Sequence, residues 1–148
     1  MRRFVMCAVA VVVAWAGVAV MAQGKIASAE EYAKLMKSNG QANGALNKAV
    51  GSAAYADARA QVATIRQNLM MLQPFWAERK QAEAVTILKD GLSKLDALDK
   101  MLGAATVDQV AAQAAAKDFG GSTCGACHKM FREGDAQAGF RFKAGTGF

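Results

Sequence analysis

The chain has 148 residues, of which 18 are lysine or arginine and 12 are aspartate or glutamate, so its formal net charge is +6. The charged residues are interspersed rather than clustered, which argues against a nucleic-acid-binding protein. One proline in the whole chain and an abundance of Ala, Leu, Lys, Gln and Met favour helix throughout.

Residues 1–22 have the pattern of a secretory signal peptide. Arg2 and Arg3 precede an uninterrupted run of apolar or small residues over 4–20, and small side chains lead up to Ala22. The run also reaches the lower limit for a membrane span, so an uncleaved anchor is the alternative. The polar residues that follow favour cleavage after Ala22. This predicts a periplasmic protein, not inserted in the membrane, with one domain-sized chain over residues 23–148.

The first predicted helix begins at residues 28–31, SAEE, a capping-box pattern, and its apolar residues recur at helical period as far as Val50. Gly40 and Gly44 each weaken the helix interior by about 1 kcal/mol relative to alanine, so a break near Asn39-Gly40 is the alternative. Two glycines four residues apart also leave room for a bulky group to approach the backbone.

Two further helices are predicted in the middle of the chain. The second runs from about Ala53 to a break at Pro74. The third runs from about Trp76 to Leu102, with leucines at heptad-like spacing, and Gly103 ends it. Trp76 is expected to plug one end of the helical core.

A fourth helix is predicted to start at Thr106, with Gln109 completing a second capping box, and to continue through Gly120-Gly121 to Phe131. Four helices of similar length with short connections predict an all-α protein, an up-down-up-down four-helix bundle over residues 23–132. Residues 133–148 are a Gly-rich C-terminal tail. The alternation at 140–143, FRFK, predicts an extended segment that either covers the bundle or is mobile.

The stretch STCGACHKMFR, residues 122–132, contains Cys124, Cys127 and His128, the chain's only histidine. Three chemistries use this spacing: a dithiol–disulfide couple, half of a zinc site, and covalent attachment of c-type haem. After cleavage no other Cys or His remains to complete a zinc site, so zinc is excluded. A dithiol enzyme usually carries its pair at a strand-to-helix junction in an α/β fold, and the sequence predicts no such strand. The pattern therefore favours haem attachment over a redox dithiol.

On a helix, Cys124 and Cys127 are neighbours on one face, and His128 lies four residues beyond Cys124. Each thiol can then add to one vinyl group while the imidazole lies beneath the iron as an axial ligand. Glycines and an alanine around the two cysteines leave room for a macrocycle. No carboxylate pair or Ser-His-Asp set stands out, so the chain is not expected to be an enzyme.

At these residues the chain resembles the class II c-type cytochromes, the cytochrome c-prime family, from about Glu31 to Arg132. The similar segments are KLMKSNGQANGAL in the first helix, FWAER at the predicted start of the third, and CGACHKMFR in the fourth. The connection at Pro74 is shorter than the family's, and the tail after Arg132 is longer. The resemblance implies one covalently attached haem c inside the bundle near one end, with Cys124 and Cys127 as thioethers and His128 as axial ligand.

Members of the family either carry electrons or bind small gas molecules, and the resemblance favours the electron carriers. Met36, within KLMKSNG, matches the methionine that ligates the iron in low-spin members, which carry single electrons. The alternative is a five-coordinate protein that binds nitric oxide or carbon monoxide. Arg132 matches a cation that contacts the haem or a propionate, although a partner for the helix dipole is the simpler interpretation. The resemblance also implies an unidentified redox partner protein and allows a homodimer through the first two helices.

Two further expectations concern a haem-free alternative and the C-terminal tail. A haem-free helical adaptor with a Cys124–Cys127 disulfide is the remaining alternative of another class. In the tail, Arg141 and Lys143 are expected to steer a redox partner by their positive charge.

Overall fold

The structure is a computed structural model that describes residues 25–135, 137 and 139–148. The predicted signal peptide and its cleavage point after Ala22 lie outside these residues. Within the part of the chain that is described, no helix is both long enough and apolar enough to cross a membrane.

The described chain is mostly helical, with four helical stretches followed by a hairpin. The first three are α1 (Ala29–Gly51), α2 (Tyr55–Glu78) and α3 (Ala82–Leu102). The fourth consists of α4 (Gln109–Phe119), a π-helical segment (Gly120–Gly125) and α5 (Ala126–Phe131). Two short antiparallel strands, β1 (Arg132–Asp135) and β2 (Gly139–Phe142), complete the chain.

The start of α1 is as predicted. The Ser28 hydroxyl accepts a hydrogen bond from the Glu31 backbone N–H at 3.1 Å, and the Glu31 carboxylate accepts one from the Ala27 N–H at 2.7 Å. These bonds satisfy donors that the first helical turn leaves free. The helix then continues without a break through Gly40 and Gly44.

The predicted break at Pro74 is wrong. Pro74 lies inside α2, which continues to Glu78, so Trp76 belongs to the end of α2 and not to the start of α3. A proline inside a helix costs about 3 kcal/mol. Phe75 and Trp76 are 3% and 0% exposed, and burying a large apolar side chain stabilises a fold by about 1.5–3 kcal/mol. The last turn of α2 therefore persists because these two rings are buried. Trp76 is fully buried in the core, and its expected place at one end of the core stays a prediction.

The predicted capping box at Thr106 is also wrong. Asp108 caps α4, because its carboxylate accepts a hydrogen bond from the Ala111 N–H at 3.0 Å. The Gln109 side chain instead donates to the carbonyls of Val50 and Gly51, at 3.0 and 2.9 Å. Gln109 thus satisfies the C-terminal end of α1, whose last carbonyls have no partner within their own helix.

The helices pack around one apolar core. α1 contacts α2, α2 contacts α3, and α4 contacts both α1 and α3. Trp76 and Phe119 are its largest fully buried side chains, followed by leucines, an isoleucine and a valine. This arrangement is compatible with a four-helix bundle.

The extended tail predicted for residues 140–143 is confirmed as the second strand of the hairpin. Gly134 and Gly139 have φ angles of +86° and +79°. A Cβ at Gly134 would collide with the Gly139 carbonyl, so the hairpin requires glycine there. Phe142 at the end of β2 and Phe148 at the C-terminus both contact Phe75 of α2.

Candidate functional site

The cysteines and the histidine lie where the fourth helical stretch changes its winding. Cys124 is in the π-helical segment, and Cys127 and His128 are in α5. Segments of π-helix are rare and occur frequently at functional sites. Both cysteines are free thiols and half-buried.

Gly91 of α3 determines how closely the π-helical segment packs. Thr123, next to Cys124, is 2% exposed. A Cβ on Gly91 would lie 2.5 Å from Thr123 Cγ2 and 3.0 Å from its Oγ1. The segment that carries Cys124 therefore touches α3 at a position where any side chain would force Thr123 to move.

Met36, Cys124, Cys127 and His128 line one cavity of about 180 Å³. The rest of its lining is mostly apolar and comes from α1, α2 and α3, with Thr123 from the π-helical segment. Met36 is 88 residues before Cys124 in the chain (124 − 36 = 88), so the fold, and not sequence proximity, brings α1 to the cysteines. All the metal and thiol positions predicted from the sequence thus face the same space.

Arg132 does not line this cavity. The helix ends at Phe131, and Arg132 has the extended backbone of β1. Its guanidinium lies over the Phe140 ring, 4.1 Å from the centroid. The hairpin pairing of Arg132 with Phe142 removes it from the helix. A cofactor contact from Arg132 stays a prediction.

Burial keeps the site's ionisable groups neutral. It raises the pKa of Cys127 to about 11, with a smaller contribution from Cys124, and it also raises the pKa of Cys124. Burial, and then the nearby Arg132 charge, lower the pKa of His128. At neutral pH the cysteines are therefore thiols and the imidazole keeps a free nitrogen lone pair, the form that binds metals.

Two buried polar atoms beside the cavity have no hydrogen-bond partner among the described residues: Asn43 Oδ1 and Trp76 Nε1. Burial raises the pKa of the Tyr32 hydroxyl, and the nearby Trp76 indole lowers it by a smaller amount. No hydrogen bond of normal geometry joins the two groups. An unsatisfied buried polar atom costs about 1–3 kcal/mol. A molecule in the cavity with its own polar groups would offset this cost.

The side chains around the cavity are of the types that bind a haem. Two thiols, an imidazole and a thioether are the groups that attach and ligate c-type haem. Gly40, which also lines the cavity, is exposed, and a Cβ there would meet nothing within 4 Å, so the cavity opens to solvent on the α1 side. The cavity is nevertheless smaller than the roughly 300–1,000 Å³ of typical small-molecule sites. A macrocycle fits only when part of the wall moves outward.

The described residues hold no group of three or more His, Cys, Asp or Glu side chains that could bind a metal ion. A haem iron takes at most two axial ligands from the protein, so this finding does not bear on haem.

Sequence reasoning missed Asn43 and the contact between Gly91 and Thr123. Asn43 is seven residues after Met36 and therefore on the same helix face, which is a signal that could have identified it. Nothing in the sequence pairs Gly91 with Thr123, because that contact joins two different helical stretches.

Neither a family model, nor a curated protein, nor a solved structure matches this chain. The resemblance to class II c-type cytochromes therefore rests on the residues themselves.

Proposed function

We propose that the chain is a periplasmic c-type cytochrome, built as an up-down-up-down four-helix bundle, that carries single electrons through one covalently attached haem c. The observation that carries this proposal is the shared cavity: Met36 from α1 faces the same space as Cys124, Cys127 and His128. A methionine, two thiols and an imidazole around one cavity are the complete protein contribution to a haem c with His/Met ligation.

Each of these residues has a distinct role in the proposal. Cys124 and Cys127 hold the haem through thioether bonds, and their high pKa values keep them protonated until then. His128, neutral because burial lowers its pKa, offers a nitrogen to the iron. Met36 offers a neutral sulfur, a soft ligand that suits ferrous iron. When bound, the haem supplies a one-electron iron couple.

The chain's own residues give this site a mostly apolar wall, in which Trp76 and Leu72 are almost fully buried. An apolar surrounding disfavours a change of charge, and both proposed axial ligands are neutral. The proposed activity is electron exchange with an unidentified redox partner protein, without substrate chemistry.

Two observations favour the alternative, a five-coordinate protein that binds nitric oxide or carbon monoxide. The cavity opens to solvent at the exposed Gly40, and the unpaired Asn43 Oδ1 lies on the same α1 side, where Met36 also is. If Met36 does not ligate the iron, this side offers room for a diatomic molecule. The two candidates therefore differ in the role of a single residue.

Spectra of the purified exported protein test the proposal. We expect a band that keeps its haem peroxidase stain after denaturing electrophoresis, and a low-spin spectrum in both oxidation states. A colourless protein would exclude any cytochrome, and haem lost on denaturation would exclude covalent attachment.

Substituting Met36→Ala separates the two candidates. We expect the variant to become high-spin, to bind carbon monoxide readily and to have a lower potential, because the sixth ligand is gone. Met130→Ala is the matched control, since Met130 is two residues from His128, is 43% exposed and does not line the cavity. A wild type that is already high-spin, or a Met36→Ala spectrum equal to that of the control, would favour the gas-binding protein.

A further inference from the structure

We propose that an acidic partner protein docks on the face between α1 and α4–α5, where the cavity opens, and that single electrons are exchanged there. The inference rests on the proposed function only in naming the partner as a redox protein. Four exposed lysines define this surface, named here the lysine face: Lys37 and Lys48 of α1, Lys117 of α4 and Lys129 of α5.

The cavity opens to solvent between two lysines of α1. Gly40 lines the cavity and is exposed. A Cβ at Gly40, or at Gly44 one turn later, would meet nothing within 4 Å, so the surface of α1 is unobstructed at both glycines. Lys37 is three residues before Gly40 and Lys48 is four residues after Gly44, and residues at these spacings are neighbours on a helix surface. The two lysines therefore flank the opening along α1.

Two contacts hold α1 beside the fourth helical stretch. At the start of α4, the Gln109 side chain donates to the carbonyls of Val50 and Gly51, at 3.0 and 2.9 Å. Where α4 meets the π-helical segment, a Cβ at Gly120 would lie 3.5 Å from Asn43 Nδ2, and Asn43 lines the cavity. The two helical stretches therefore stay side by side between these contacts, and their exposed side chains form one continuous surface.

The other two lysines belong to the fourth helical stretch. Gly121 of the π-helical segment is exposed, and a Cβ there would meet nothing within 4 Å. Lys117 is four residues before Gly121 and is its neighbour on the surface. Lys129 directly follows His128, which lines the cavity. The surface at the opening thus has lysines on both helical stretches.

Little acidic charge offsets these lysines on their own helices. α1 has no Asp or Glu after Glu31. Residues 109–131 contain one acidic residue, Asp118, and its carboxylate pairs with Lys94 of α3. None of the four lysines has an ion pair among the described residues. The lysine face is therefore a patch of net positive charge.

The surfaces of α2 and α3 have mixed charge instead. Arg59 pairs with Asp99 and Arg66 pairs with Asp96, each at 2.8 Å and each from α2 to α3. Such pairs largely cancel one another at a distance. An approaching acidic protein is therefore attracted more strongly to the lysine face than to α2 and α3.

The C-terminal tail adds less positive charge than the sequence indicated. Arg141 pairs with Glu133 across the hairpin at 2.9 Å, which offsets its charge. The Lys143 ammonium donates to the Lys129 carbonyl at 2.7 Å, so it lies beside the α5 end of the lysine face. Of the two tail residues expected to steer a partner, Lys143 is the one that adds charge to this face.

An acidic partner at the opening suits electron exchange. Electron transfer weakens steeply with the distance between two redox groups, so a partner must dock where the cavity is nearest to the surface. In each exchange one electron passes between the iron and the partner's redox group, and no bond is made or broken. Complementary charges mainly speed the encounter, which suits a partner that must leave again. Electron-transfer interfaces bury less than about 1,200 Å², so one face of the protein is sufficient.

Oxidation of the reduced haem protein by small reagents of opposite charge locates the point of exchange. Hexacyanoferrate(III) is anionic and tris(phenanthroline)cobalt(III) is cationic. At about 0.1 M salt the screening length is about 10 Å, so only charges near the point of exchange act. Lys37→Glu should slow the reaction with hexacyanoferrate(III) about threefold and speed that with the cobalt complex by a similar factor. A changed haem potential would move both rates in the same direction.

Lys100→Glu is the matched control. Lys100 is also an exposed helical lysine without an ion pair among the described residues, but it lies on α3, 12 residues (100 − 88 = 12) after the cavity residue Leu88. That separation is about 18 Å along the helix, beyond the screening length. Lys100→Glu should change each rate less than about 1.5-fold, and Lys117→Glu should act as Lys37→Glu does. Equal effects of Lys37→Glu and Lys100→Glu would overturn the proposal.

Titration of the exported protein with poly-L-glutamate, followed by amide NMR chemical shifts, tests the acidic partner and does not depend on haem. We expect the largest shifts at residues 37–48 and 117–129, and binding about threefold weaker with Lys37→Glu than with Lys100→Glu. The absence of shifts at low salt would contradict the proposal, as would largest shifts in α2, in α3 or at residues 139–148.

Failure of the lysine face and failure of the proposed function are distinguishable. A colourless protein that binds poly-L-glutamate at residues 37–48 and 117–129 would retain the acidic partner and exclude the cytochrome. A haem protein whose oxidation responds equally to Lys37→Glu and Lys100→Glu would retain the cytochrome and exclude this docking surface.

Discussion

Substituting Gly91 by alanine tests whether the contact between α3 and the π-helical segment holds the site in place. Alanine is usually better than glycine inside a helix by about 1 kcal/mol. Here the new Cβ would lie 2.5 Å from Thr123 Cγ2, and Thr123 is 2% exposed, so neither side has free space. Such overpacking costs about 1–3 kcal/mol, so we expect Gly91→Ala to destabilise the protein by about 1–2 kcal/mol.

Gly44→Ala is the control. Gly44 is also inside a helix, α1, but a Cβ there would meet nothing within 4 Å. This variant should be more stable than the wild type by up to about 1 kcal/mol, because only helix propensity changes. The free energies of unfolding come from chemical denaturation followed by helical circular dichroism.

A double-mutant cycle assigns the cost to one contact. Thr123→Ala removes both of the closest atoms, Cγ2 and Oγ1, and leaves Cβ at 3.3 Å from the position of the new methyl group. Gly91→Ala should then be nearly neutral in the Thr123→Ala background, with a coupling energy of about 1–2 kcal/mol. The reasoning is refuted if Gly91→Ala stabilises the protein as Gly44→Ala does, or if its cost is the same in both backgrounds.

Two further predictions concern the helices. Asp108→Ala should lower the free energy of unfolding by about 0.5–2 kcal/mol because α4 loses its cap, while Thr106→Ala should change it little. A larger loss with Thr106→Ala than with Asp108→Ala would show that Thr106 caps the helix after all. The hydrogen bond from Arg59 lowers the pKa of Asp99, so this group contributes stability above the unfolded-state pKa of about 3.9, and the contribution is lost as pH falls through the lower folded-state value. Asp99→Asn should therefore lower the denaturation midpoint slightly at pH 7 and not at pH 2, and an equal loss at both would contradict this origin.

Most of what the sequence predicted correctly depends on contacts within a turn or two, although the local cap of α4 by Asp108 was missed. The Ser28 cap on α1 was predicted because a cap involves residues three apart. The number of helical stretches follows from apolar periodicity, which depends on spacing along the chain. The grouping of Cys124, Cys127 and His128 needed no tertiary information either, because five consecutive residues of a helical segment place all three together.

The position of Met36 at the same cavity could not be predicted from local contacts. Periodicity places Met36 on a helix, but it does not say which distant residues that helix meets. The expectation came from a resemblance carried by the residues around Met36, and the packing of α1 against α4 brings it to the cavity.

Only the tertiary structure decided the points at which local rules compete with distant contacts. Pro74 would end an isolated helix, but burial of Phe75 and Trp76 carries α2 onward. The sequence pattern predicts that Gln109 completes a capping box, but in the fold its side chain donates hydrogen bonds to the carbonyls at the end of α1. Arg132 begins a strand and does not line the cavity, because it pairs with Phe142 in a hairpin. In each case contacts beyond a helical turn supply a free energy comparable to the local preference, and a sequence pattern has no access to it.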